Sequence, residues 1–132
     1  MLPARVHAVQ DGASRYSVTV VNYASDTDVT DVLGSIAYAA WNVRKRGGQV
    51  TYDAYAQVDR IAGHELHVTN PDSVTYVAIH LFDKRLYILE ATVPPAAAPP
   101  LEFQMSLSIL DEKGSRIRFE LDACGNRTAR VP

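Results

Sequence analysis

Two apolar stretches, Val74–Phe82 and Arg85–Val93, stand on either side of the dipeptide Asp83-Lys84, and nothing else in the chain restricts its fold as much. Runs rich in Val, Ile, Leu and Tyr with a two-residue break read as a β-hairpin closed by a tight turn. With that turn fixed, Leu81 faces Leu86 and Ile79 faces Ile88 on one side, while His80 faces Tyr87 and Ala78 faces Leu89 on the other. Successive strand residues point to opposite faces, so apolar side chains emerge above and below. Both faces must then be covered. This predicts an α+β chain, an α/β/α sandwich with a central antiparallel sheet of about six strands and a helix on each face.

The stretch before the hairpin supports the sheet. Val50, Tyr52, Ala54, Ala56 and Val58 alternate with Thr51, Asp53, Gln57 and Asp59, a period of two that buries one face and wets the other. Ala62-Gly63 interrupts the alternation and reads as a turn or bulge. Leu66 and Val68 resume it as far as the turn Asn70-Pro71-Asp72-Ser73. Nearer the N-terminus, residues 5–10 and 15–22 read as strands joined at Asp11-Gly12-Ala13-Ser14, with Tyr16, Val18 and Val20 on one face.

Between these strand groups the period changes. Val29, Val32, Leu33, Ile36, Ala40 and Val43 recur every three or four residues, the stripe of an amphipathic helix. Asp26, Thr27 and Asp28 are N-cap candidates, and Gly47-Gly48 stops the helix. Arg44-Lys45-Arg46 sits in the last turn, where cations complement the helix dipole; a partner-binding patch is the alternative. Trp41 departs from the stripe by about one position and is expected to pack at its edge; an exposed anchor for a protein partner is the alternative.

After the hairpin, four prolines within residues 94–100 make a stiff extended connector, with a polyproline groove ligand as the alternative. Residues 101–110 fit two periods. Leu101, Phe103, Met105, Leu107 and Ile109 alternate as a strand would, while Phe103, Leu107 and Leu110 form a helical stripe. Residues 116–121 read as a short final strand, and 122–132 as a loose tail.

With 47% hydrophobic and 21% charged residues, positions 1–132 are expected to form one domain, residues 1–14 being its first strand and turn. A net charge of −2 and a pI near 6.0 argue against a nucleic-acid surface. No apolar run spans a membrane, which takes about 20 residues. Met1–Arg5 lacks a signal-peptide core, as expected of a cytoplasmic protein or of a mature domain freed of its leader. Cys124 is single, so no internal disulfide forms.

Several spaced motifs, taken in order, resemble the bacterial PsbP-like family, whose fold is shared with the extrinsic PsbP protein of photosystem II and a Ran-binding nuclear protein. They begin with Tyr16-Ser-Val-Thr-Val and the helix over residues 28–46. Gly47-Gly48-Gln49-Val50 follows, then Ile61-Ala-Gly-His-Glu-Leu66, similar to the family's apolar-x-Gly-x-Glu turn. Arg85-Leu86-Tyr87-Ile88-Leu89-Glu90 looks like its Arg-Leu-Tyr strand. Phe103-Gln-Met-Ser106-Leu107 is similar to its closing Phe-x-x-Ser-Phe helix, with Leu in the last place. The resemblance implies the α/β/α sandwich, tips residues 99–110 towards helix, and suggests a periplasmic or cell-envelope setting. It carries no shared catalytic set. The chain departs from the family in lacking a leader or lipobox cysteine and in extending past the usual end.

No catalytic or cofactor signature appears. His64 and His67 are an odd number of positions apart, so a regular strand puts them on opposite faces and denies them a common metal unless Gly63 makes a bulge. Tyr76, His80 and Tyr87 share a face and form the candidate small-ligand site; His80 there is either a base or a packed core histidine. Ser106 comes near His80 only if the last helix covers that face, and Cys124 has no flanking support as a nucleophile. Asp83 and Glu90 stand too far apart for a carboxylate dyad. The leading expectation is a non-enzymatic binding or assembly module with a protein partner. A small-ligand protein or modest hydrolase built on His80 is the alternative, and self-association through an edge strand a third.

Overall fold

The computed structural model describes residues 4–23, 32–58, 61–104, 106–107, 113–115, 119–121, 123–124 and 127–130. In chain order its elements are β1 (Ala4–Asp11), β2 (Ser14–Asn22), α1 (Val32–Arg44), β3 (Gln49–Val58), β4 (Ile61–Thr69), β5 (Val74–Phe82), β6 (Arg85–Val93), α2 (Leu101–Gln104), β7 (Phe119–Leu121) and β8 (Arg127–Arg130). Six strands form one antiparallel sheet in the order β1-β2-β6-β5-β4-β3. The fold is therefore α+β, with few helices.

The β5–β6 hairpin lies at the centre, in the register that the two-residue turn dictates: Leu81 opposite Leu86, Ile79 opposite Ile88, His80 opposite Tyr87. Asp83 (φ 48°) and Lys84 (φ 61°) both take left-handed backbone, the tight hairpin turn whose twist matches that of its strands. The Lys84 carbonyl accepts a 2.7 Å hydrogen bond from the Tyr23 amide, tying the turn to the end of β2.

Every residue from Tyr76 to Leu81 is buried, so the sheet is dry on both faces at its centre. One face meets α1: Ile36, Ala39, Ala40 and Val43 pack on Leu66, Val68, Val77, Ile79, Leu81 and Leu86. Burying one such aliphatic side chain contributes about 1.5–3 kcal/mol. Gly47 and Gly48 (φ 98° and 89°) end the helix as expected. Residues 26–31, the expected cap and first turn, lie outside the described residues.

The second face carries no helix of comparable length among the described residues. A single helical turn, α2, lies against β5 and β6, and its Phe103 ring meets Tyr16 of β2 with centroids 5.2 Å apart. Helix is thus the observed state over Leu101–Gln104. The Gln104 amide bonds the Pro100 carbonyl at 3.2 Å, and the prolines that rule out a strand also open the turn.

Three local readings need correction. Ala62-Gly63 is no turn: β4 runs straight through it. The irregularity lies in β3, where Thr51 is the extra residue between Val50, opposite Val68, and Tyr52, opposite His67. Val50 therefore faces α1, whereas Tyr52, Ala54 and Ala56 point the other way. Finally, Arg127–Arg130 of the expected loose tail forms a strand paired with β7.

Candidate functional site

On the second face one row of residues crosses five strands: Arg5, Val20, Tyr87, His80 and Gly63 stand opposite one another in turn from β1 through β2, β6 and β5 to β4. His80 is 3% exposed, and its Nδ1 has no hydrogen-bond partner among the described residues. Its ring lies so close against Gly63 that a Cβ there would collide with Nδ1 and Cε1 and with the Ile79 carbonyl. That contact explains the break in the β4 pattern: the strand continues, but only glycine fits under the imidazole. Burial pushes the His80 pKa below its ordinary value, opposed in part by the backbone of Ile61 and Ala62 and the charge of Glu65. The ring is accordingly neutral at pH 7.

The three residues of the expected ligand site share this face but do not line one cavity. Tyr76 belongs to an aromatic stack in which His67 lies between Tyr52 (4.7 Å between centroids) and Tyr76 (4.6 Å). Tyr87 is half-buried and forms part of a cleft of about 630 Å³ on the other side of His80, together with Ala4, Arg5, His7, Val20, Asn22 and Arg85. Tyr76 and His80 are not among the residues lining that cleft.

His64 and His67 do face opposite ways, His64 standing beside Ile79 and His67 beside Tyr76. His64 bonds Asp53 through Nε2, and His67 lies 3.5 Å from Glu65. Asp53 also accepts a fork of bonds from Arg44, at 2.6 and 2.8 Å, and together these hold its pKa down to about 2, the Arg44 bond most strongly. Through Asp53 these bonds tie Arg44 of α1 to His64 of β4. Ser106 spends its hydroxyl on the Phe103 carbonyl at 2.6 Å, and Cys124 is exposed.

The basic trio is divided three ways. Arg44 bonds Asp53, Arg46 bonds Glu90 at 2.8 Å, and the Lys45 ammonium lies 4.5 Å from the centroid of the Trp41 ring. Trp41 is 52% exposed and stacks on Tyr38, 64% exposed, with centroids 6.0 Å apart. No local pattern marks Arg5, His7, Asn22 and Arg85; strand parity fixes their face, but only the β2–β6 pairing brings them together.

The fold defines a small α+β domain built on an antiparallel sheet. No protein-family model matches the chain, and no curated protein sequence matches it significantly. Among solved structures it is similar to a Pseudomonas aeruginosa chain described as a protein of unknown function, PA94, and putative regulator. The identity is 13%, the TM-score 0.47, and the match covers 73% of this chain and 72% of that one. That likeness is too distant to bear on function. Among the described residues, no helix is long and apolar enough to cross a membrane.

Proposed function

We propose that this chain is a non-enzymatic binding module that docks a protein partner through the outward side of α1. One observation carries the reading: Tyr38 and Trp41 stack on each other in solvent, with Lys45 over the indole. Large aromatic side chains held rigidly at a surface bury much area on docking at little entropic cost. The helix beneath them is fixed to the sheet through Arg44–Asp53 and Arg46–Glu90. Lys45 beside the aromatic pair favours a partner whose apolar pocket is rimmed by carboxylates.

The resemblance to the PsbP-like family adds a bacterial cell-envelope setting to the proposal. It also supports reading α2 and the proline connector as the cover of the second face, which would complete an α/β/α sandwich.

Affinity capture from extracts of the native cell, using wild type, a Tyr38→Ala/Trp41→Ala double variant and Tyr55→Ser as a surface control, tests the docking surface. A partner held by wild type and Tyr55→Ser, lost with the double variant, and then shifting Trp41 emission to the blue once purified, is the expected result. A partner captured equally by all three proteins excludes this surface.

A further inference from the structure

We propose that the cleft formed by Arg5, His7, Asn22 and Arg85 over a floor of Val20 and Tyr87 binds a small organic anion, a phosphate ester or polycarboxylate of metabolite size. It lies on the face of the sheet away from α1, so it stands independently of the docking surface.

Among the described residues the charge of the cleft is unbalanced: its lining holds two guanidiniums and an imidazole but no Asp or Glu. Arg44 and Arg46 on the other face each hold a carboxylate, whereas Arg5 and Arg85 form no ion pair among the described residues. In a chain of net charge −2, cations left together without a counter-charge are a recognition feature.

The spacing suits one small ligand. Arg5 is on β1 and Arg85 on β6, with β2 between them, so their backbones stand roughly 10 Å apart across the strands. Two side chains of arginine's length can reach a common anion from that separation. Guanidinium presents a planar fork that matches carboxylate and phosphate oxygens. Asn22, next to Arg85 in the register, adds an amide, while Val20 and Tyr87 provide an apolar floor for a carbon skeleton. The volume of about 630 Å³ falls in the ordinary range for small-molecule sites.

NMR titration of the whole chain at low ionic strength with pyrophosphate, with citrate and with a single-stranded oligonucleotide tests the assignment. Expected are saturable shifts from pyrophosphate or citrate at Arg5, His7, Asn22, Arg85 and Tyr87. Tighter saturation by pyrophosphate assigns a phosphate ester, and by citrate a polycarboxylate. Arg5→Gln and Arg85→Gln, each made singly, should weaken binding by about tenfold or more, while Arg15→Gln, the same charge change on the opposite face, should alter it by less than about twofold. These arginines are exposed and form no ion pair among the described residues, so thermal midpoints should stay at the wild-type value. Three results would overturn the proposal: no saturable shift with either anion, equal weakening by Arg15→Gln, or tighter binding of the oligonucleotide.

Discussion

Gly63 and His80 are two positions that only make sense together. The imidazole occupies the space a Cβ on Gly63 would need, and the backbone carbonyl of Ile79 closes the other side. Gly63→Ala must therefore push the ring and the β4–β5 ladder apart, and overpacking of this kind costs about 1–3 kcal/mol. Urea denaturation should show that loss, and His80→Ala in the same chain should recover part of it but not all, because the Ile79 carbonyl remains. A Gly63→Ala protein as stable as wild type would mean the ring does not rest there.

At the scale of elements, α1 is held by packing along its length and by charge at its C-terminal end. Asp53 of β3 joins Arg44 of the helix to His64 of β4, and its pKa of about 2 lies below the ordinary 3.8. A carboxylate with a depressed folded pKa contributes stability above its unfolded pKa, and that contribution fades as pH falls from about 3.8 to about 2. The group is partly exposed, so solvent screening limits the effect to about 1 kcal/mol or less. Urea midpoints of wild type should fall more steeply than those of Asp53→Asn between pH 4 and 2, and parallel curves would contradict the tether. Ile36, Ala40 and Val43 make the opposite kind of contact, buried and insensitive to pH.

The molecule as a whole has a sheet whose centre is shielded and whose ends are not. β1 is an edge strand, exposed along its whole length, with Val6 and Val9 62% and 66% exposed. Unpaired backbone groups beside apolar side chains are a template for pairing with another strand. Weak self-association at high concentration is the expected behaviour, and Val6→Lys/Val9→Lys should suppress it. Sedimentation velocity over a range of concentrations checks this; a wild-type coefficient that does not change with concentration would show that the edge is protected.

Sequence alone determined much of what local period and turn chemistry set. The Asp83-Lys84 turn fixes the β5–β6 register, alternation puts Tyr76, His80 and Tyr87 on one face and separates His64 from His67, and Gly47-Gly48 ends α1. These follow from the strand period of two, the helix period of 3.6 and the residues that tolerate left-handed backbone. Only tertiary structure decided that the β1–β2 hairpin docks on β6, so that Arg5 and Arg85 border one cleft and Tyr87 opens into it while Tyr76 and His80 do not. It likewise decided that Thr51 bulges and that β4 passes under His80 on a glycine. Alternation tells a side chain which face it takes but not which distant strand will lie beside it, because that choice depends on packing between segments far apart in the chain.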